Sequence, residues 1–139
     1  MTTELLDYAL QYHDFGWSVI PIPYGQKKAR VRWKRYQQQR PDKKQLVKWF
    51  SNGPRNMAVV LGEVSGGLTC RDFDTMDEYT RWAQQYPELA MLPTVQTARG
   101  RHVYFEGHVQ GSKHIANGEL RGSGGYTLLP PSRHPDGPD

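Results

Sequence analysis

The chain has 139 residues, a hydrophobic share of 37% and a formal net charge of +4. This length is typical of one domain with a real core, and no apolar run approaches the length of a membrane span. Cys70 is the only cysteine, which excludes an internal disulfide and a thiolate metal cluster. The N-terminus lacks a basic-then-apolar signal pattern, so we expect an intracellular, cytoplasmic protein.

The positive charge is concentrated in one segment. Residues 27–48 contain ten bases and one acid, so the segment carries +9 while the whole chain carries +4. Trp33 and Tyr36 are interleaved with these bases, and Trp49 and Phe50 follow them directly. The mixture fits a nucleic-acid track, because cations neutralise phosphates and rings stack on bases. It also fits a solvated basic face whose aromatic residues are buried. The residues assigned to the track are Lys27, Lys28, Arg30, Arg32, Trp33, Lys34 and Arg35.

The first half of the chain predicts two helices and two strands around a long basic loop. The predicted elements are a helix over residues 3–15, a strand over 17–22, a loop over 24–41, a helix over 42–51 and a strand over 57–61. Thr3 is expected to cap the first helix and Gly16 to end it. Pro21 and Pro23 are expected to stop the first strand. The second helix is expected to bury Leu46, Val47, Trp49 and Phe50.

A strand over residues 68–74 ends in two acids, Asp72 and Asp74. Residues two apart share one face of a strand and lie about 6.6 Å apart, so both carboxylates project together while Phe73 faces the opposite layer. One interpretation is a strand end with two solvated acids. The other is a pair of oxygen ligands for Mg²⁺ or Mn²⁺, as in two-metal phosphoryl transfer.

Turn and capping residues place this acidic strand among its neighbours. Glycines in residues 63–67 predict a hairpin between the strand over 57–61 and the acidic strand. Thr75 and Glu78 predict a capping box that starts a third helix. The remaining predicted elements are a hairpin of strands 94–97 and 102–105, an irregular connection over 107–118, an extended segment over 119–121, a strand over 126–129 and a frayed tail over 135–139.

The order of these motifs resembles the primase-polymerase (prim-pol) domain of the archaeo-eukaryotic primase superfamily. Such domains occur in replication proteins of plasmids, phages and other mobile elements. The resemblance covers nearly the whole chain. Its motifs are Gly16-Trp17 with Pro21, Val60-Leu61-Gly62, Asp72-Phe73-Asp74, Thr97-Ala-Arg-Gly-Arg-His102, Glu119-Leu-Arg-Gly-Ser-Gly-Gly-Tyr126 and Pro130-Pro-Ser-Arg-His134.

The resemblance implies an α+β fold, with an α/β N-terminal module packed on an RRM-like antiparallel sheet and the active site in the cleft between them. The implied domain covers residues 1–139, divided into a basic module over 1–55 and a catalytic module over 56–134. Asp72, Asp74 and Glu119 would be the catalytic acids and the ligands of two Mg²⁺ or Mn²⁺ ions. The implied nucleotide-binding residues are His102, Arg121, Ser132, Arg133 and His134. From the residues alone, His102 also fits a half-buried core histidine.

These roles imply a DNA primase and polymerase that uses NTP or dNTP to make or extend primers on single-stranded DNA. A replicative helicase would be a further partner, in a plasmid, phage or prokaryotic host. Two other functions stay open. One is an RRM-like module that holds single-stranded nucleic acid without catalysis, although three acids near phosphates would weaken such binding. The other is a metal-dependent nuclease with similar ligands.

Overall fold

The computed structural model describes residues 4–115 and 118–133. Within these residues the chain forms three α-helices and two antiparallel sheets, which confirms the predicted α+β fold class. The helices are α1 (Glu4–Asp14), α2 (Lys43–Phe50) and α3 (Met76–Gln85). The strands are β1 (Ser18–Pro23), β2 (Arg55–Val60), β3 (Leu68–Phe73), β4 (Thr94–Gln96), β5 (Arg101–Glu106), β6 (Ser112–Ile115), β7 (Gly118–Arg121) and β8 (Tyr126–Leu129).

The chain leaves the three-stranded sheet after β2, forms the five-stranded sheet, and returns to the first sheet with β8. The three-stranded sheet has the order β1-β2-β8, and the five-stranded sheet has the order β4-β5-β3-β7-β6. Strands from both sides of residue 55 therefore share the three-stranded sheet, while the proposed module boundary there stays a prediction. Thr3, His134 and the tail over 135–139 lie outside the described residues. No helix in the described part is both long and apolar enough to cross a membrane.

The predicted hairpin between β2 and β3 is wrong, because the two strands belong to different sheets. Gly62, Gly66 and Gly67 adopt positive φ angles around a short 3-10 helix, Glu63–Ser65. The buried hydroxyl of Ser65 accepts from Ser18 N and donates to Val60 O, at 2.9 and 2.6 Å. These contacts turn the chain from one sheet to the other. Glycine content predicted the turn but carried no information about the sheet that the next strand joins.

Pro21 does not stop the first strand as predicted, because β1 continues past it and ends at Pro23. Pro21 pairs with Met57 of β2. β1 is an edge strand, so its outer backbone groups need no ladder partner and a proline without an N–H is tolerated there. The prediction of an irregular connection over residues 107–118 is also wrong in part, because β6 forms there and pairs with β7.

Local capping signals were reliable predictors of the helix ends. Gly16 follows α1 with a φ of 93°, and Asp42 caps α2 by accepting from Gln45 N at 2.8 Å. The Thr75 hydroxyl accepts from Glu78 N at 3.2 Å and starts α3. The expected burial of Val47 is wrong, because 45% of it is exposed. Leu46 and Phe50 of α2 are fully buried, and Trp49 is half-buried against the same core.

Alternating side chains bury both faces of the three-stranded sheet. On one face the main contributors are Val19, Met57, Val59 and Leu129, which join buried residues of α1, α2, β3 and β5. On the other face they are Ile20, Ile22, Ala58 and Val60. Tyr36, Ala29 and Trp33 of the basic loop cover this second face. The loop over residues 24–41 is thus packed against the sheet.

One buried hydrogen bond joins the two sheets directly. The hydroxyl of Tyr104 on β5 lies 2.6 Å from the hydroxyl of Thr127 on β8. Both residues are almost fully buried, and burial raises the pKa of Tyr104 well above its ordinary value. The phenol therefore stays neutral and keeps its proton for this bond. The pair fixes the separation of the sheets next to the cleft described below.

Replacing Tyr104 by Phe should lower the free energy of unfolding by about 1–2 kcal/mol, because it leaves the buried Thr127 hydroxyl without this partner. Urea denaturation of the single variants Tyr104→Phe and Thr127→Val, and of the double variant, provides the measurement. A double-mutant cycle should show positive coupling between the two sites. Simple additivity of the two losses would contradict a sheet-joining role for this bond.

Candidate active site

A cleft of about 480 Å³ opens where the two sheets meet. From the five-stranded sheet it is lined by Asp72, His102 and Arg121, with Asp74 just beyond the end of β3. From the other side it is lined by β8 and the segment that follows, as far as Ser132, and by Lys27 of the basic loop. The cleft thus brings together residues from the acidic strand, the predicted nucleotide site and the predicted nucleic-acid track.

The acidic strand places Asp72 on the cleft side of its sheet. Phe73 points to the opposite face, where its ring packs against Tyr79 and Trp82 of α3 at centroid distances of 5.5 and 5.0 Å. The alternation predicted from the sequence is therefore present. Asp74 follows the strand, is exposed and lines the same cleft.

The strands beside β3 carry the other predicted site residues. In the antiparallel register Asp72 is opposite His102 on β5 and opposite Glu119 on β7. These three residues form a row across three adjacent strands. The His102 strand and the Glu119 segment therefore flank the acidic strand on its two sides.

Asp72 is largely shielded from water and is held by two basic side chains. Its side chain is 14% exposed, its Oδ1 lies 3.4 Å from His102 Nε2, and its Oδ2 lies 2.9 Å from Arg121 Nη2. Burial alone would raise the pKa of Asp72. The contact with His102 and the charge and hydrogen bond of Arg121 outweigh burial, so the pKa is lowered. Asp72 is therefore a carboxylate near neutral pH.

Arg121 also reaches the second acid of the row. Its Nη2 lies 3.8 Å from Glu119 Oε1, so a single cationic group is shared by the carboxylates of Asp72 and Glu119. In the described part of the chain, no three His, Cys, Asp or Glu side chains are gathered closely enough to form a metal-binding group. The arrangement there is thus two acids that share one guanidinium, with Asp74 nearby in the same cleft.

Two glycines let the neighbouring strands approach the end of β3. A Cβ atom at Gly118 would overlap the carbonyl oxygen of Asp72, and one at Gly100 would overlap that of Phe73. Gly118 also has a φ of 130°, which L side chains rarely adopt. Nothing in the sequence pattern assigned these glycines a role. Their only signal was that each lies one or two residues before a predicted site residue.

The predicted nucleotide-binding residues fall into two groups. His102 and Arg121 line the cleft with their side chains. Ser132 also lines it, but its hydroxyl donates to Met57 O and accepts from Met57 N, each at 2.8 Å, so it serves the backbone of β2. The Arg133 side chain is exposed and its backbone is bound by Asn56. His134 lies outside the described residues.

The predicted nucleic-acid track is anchored to the three-stranded sheet. The backbone N–H of Ala29 donates to the Tyr126 hydroxyl at 2.9 Å, and the ring of Trp33 meets that of Tyr126 at 4.8 Å. Trp33 is therefore half-buried in a packing contact. The basic members of the track are exposed: Lys27, Lys28, Arg30, Arg32, Lys34 and Arg35. Of these, Lys27 lines the cleft.

Comparison with known proteins identifies the class to which this fold and site belong. Residues 9–139 match the family model described as bifunctional DNA primase/polymerase, N-terminal. The chain belongs to this Prim-Pol family, which confirms the resemblance drawn from its motifs. Membership implies a nucleotidyltransferase-type enzyme of DNA replication. No curated protein matches the chain.

Replacing Arg121 by Gln should raise the pKa of Asp72. Burial raises this pKa, and of the two partners that lower it only His102 would remain. A carboxyl-carbon NMR titration measures this directly. The matched control is Arg101→Gln. Arg101 is also a strand arginine, but its guanidinium bonds Gly100 O and lies over the Tyr79 ring of α3, away from Asp72.

The same change should alter the acid dependence of stability. The folded-state pKa of Asp72 is lowered, so its partners stabilise the fold above the unfolded pKa of about 3.9. That stabilisation is lost as pH falls through the lowered folded-state pKa. Arg121→Gln should flatten this part of the stability curve. An unchanged Asp72 titration in Arg121→Gln would contradict the assigned ion pair.

Proposed function

We propose that this protein is a template-directed nucleotidyltransferase that makes or extends primers on single-stranded DNA. The observation that carries the proposal is the group Asp72, His102 and Arg121, which lines a cleft that Lys27 also lines. Glu119 lies opposite Asp72 on the neighbouring strand β7. Nucleotidyl transfer depends mainly on positioning and on neutralising phosphate charge. The cleft brings together side chains for both tasks, and family membership supplies the reaction class.

Two Mg²⁺ or Mn²⁺ ions are proposed as cofactors, held by Asp72, Asp74 and Glu119. The donor chemistry fits, because oxygen ligands suit hard divalent cations and the carboxylates of Asp72 and Glu119 already share one cationic group. The lowered pKa of Asp72 keeps it ionised and able to bind metal near neutral pH. When bound, such ions supply charge neutralisation for the triphosphate and for the attacking oxygen.

The nucleoside triphosphate, NTP or dNTP, is proposed to lie between the two walls of the cleft. His102 and Arg121 reach it from the five-stranded sheet, and Arg121 offers a guanidinium that binds phosphate in a bidentate manner. His102 Nδ1 is buried and has no hydrogen-bond partner among the described residues, so ring rotation or a bound group would satisfy it. The segment of Ser132, Arg133 and His134 is proposed to complete the site from the opposite wall.

The single-stranded DNA template is proposed to follow the basic loop into the cleft. Lys27 marks the entry, because it belongs to the exposed basic series and also lines the cleft. Lys28, Arg30, Arg32, Lys34 and Arg35 would contact backbone phosphates, which attract cations without regard to sequence. A replicative helicase is proposed as the partner that delivers the template.

Replacing Asp72 or Asp74 by Asn should lower nucleotide transfer by about a hundredfold or more, the scale lost when one charge-stabilising group leaves an active site. The measurement is synthesis from a labelled nucleotide on a single-stranded template with Mn²⁺ or Mg²⁺. The matched control is Asp77→Asn, an exposed acid in the first turn of α3 that should keep full activity. Circular dichroism verifies the fold of each variant.

The same assay separates the alternatives. Extension or dinucleotide synthesis by the wild-type protein supports the proposal. Degradation of the template would identify a nuclease instead, and template binding without synthesis or degradation would identify a binding module. Nucleotide synthesis by Asp72→Asn at the wild-type rate would exclude the two-metal assignment.

Changing Lys27, Lys28, Arg30 and Arg32 together to Gln should weaken template binding and flatten its salt dependence. Each lost phosphate contact lowers the slope of log K against log salt by about 0.7 for a single strand. The matched control neutralises Lys43, Lys44 and Lys48, which belong to the same basic segment but lie on α2. Fluorescence anisotropy across a salt series measures the template affinity and its salt slope for both variants. A larger slope change in the α2 variant would place the track on that helix.

A further inference from the structure

A buried side chain that the sequence analysis did not single out joins the two proposed ligand sites. Asn56 lies in β2 and is fully buried. Its Nδ2 donates to Gln26 O at 2.8 Å and to Arg133 O at 2.7 Å, and its Oδ1 accepts from Arg133 N at 2.8 Å. One amide therefore bonds a segment 30 residues before it and another 77 residues after it.

Both residues that Asn56 bonds are chain neighbours of residues that line the cleft. Gln26 immediately precedes Lys27, which lines the cleft, and Arg133 immediately follows Ser132, which also lines it. Ser132 in turn is bound to Met57, the residue after Asn56, through both backbone groups of that residue. The start of β2 thus holds the basic loop and the segment after β8 in a fixed relation to each other.

The amide of Asn56 suits this role. An amide has two donors and an acceptor in one rigid plane, so it bonds two carbonyls and one N–H at once. Aspartate would lose both donors, and serine or threonine would lose the reach. Loss of the Asn56 side chain would leave three part-buried backbone groups without this partner and would loosen both segments, although Ser132 would keep its bonds to Met57.

We propose that Asn56 is a positioning residue that clamps the template segment and the nucleotide segment together at the rim of the cleft. This inference rests on the proposed function for the identity of the two ligands. It assigns Asn56 no contact with either ligand. Its effect on both passes through Gln26 and Arg133, so a single substitution should disturb two binding events that use different residues.

The test uses the full chain with Asn56→Ala and Asn56→Thr, the second because threonine favours strands and preserves β2 if alanine prevents folding. The matched control is Ser65→Ala, which removes another buried, doubly bonded side chain near the far end of β2. Measured quantities are the KM for the nucleotide, the Kd for template in the absence of nucleotide, and backbone hydrogen exchange.

The expected result is a rise of roughly three- to tenfold in both KM and Kd, the effect of losing about one hydrogen bond of positioning at each site. Hydrogen exchange should accelerate at Arg133 and in residues 24–33. Ser65→Ala, at matched loss of stability, should leave KM, Kd and these exchange rates near their wild-type values. A merely structural role would instead give the two substitutions equal effects.

Two results would overturn the clamp. One is unchanged exchange at Arg133 and in residues 24–33 of a folded Asn56 variant. The other is a rise in both KM and Kd in Ser65→Ala as large as in Asn56→Ala or Asn56→Thr. The proposed function fails separately, if the wild-type protein neither binds template nor transfers nucleotides, and the exchange measurement still decides the clamp in that case.

Discussion

The charge balance of the cleft depends on the contacts of Asp72 with Arg121 and His102. A carboxylate that is 14% exposed loses much of its hydration, so it needs hydrogen-bond donors and an opposite charge close by. Both partners come from strands that flank β3, which ties the charge balance to the strand register. A slip of one residue would turn the partner side chains to the opposite face. The strand register therefore determines both the pairing within the sheet and the charge balance of the site.

Local signals in the sequence predicted most of the elements but little of their assembly. Helix ends followed from Gly16, Asp42 and Thr75, because caps involve residues a few positions apart. The hairpin between β2 and β3 was wrong, because strand pairing depends on groups that are distant in the chain. Pro21 was misread for the same reason: a proline is excluded from a central strand and tolerated in an edge strand, and the sequence does not say which strand is which.

The candidate site shows the same division. Period-two alternation was enough to put Asp72 on one face and Phe73 on the other, and the resemblance placed His102, Glu119 and Arg121 nearby. No pattern predicted that the Ser132 hydroxyl would be bound to Met57, or that Asn56 would bond Arg133. Those contacts join positions 75 and 77 residues apart, and a lone polar residue in an apolar strand gives no sign of its partner.

The acids and the basic loop belong to opposite walls of the cleft, which fits the proposed function. A polyanionic template would be repelled by Asp72, Asp74 and Glu119, so its attractive surface has to start beyond them. The loop that carries Lys27 is fixed to the three-stranded sheet through Tyr126, across the cleft from the acids. Arg121 lowers the repulsion between the acids on their own side. In the proposed function, a phosphate chain would meet the exposed cations of the basic loop, and the acids would stay available for cationic ligands.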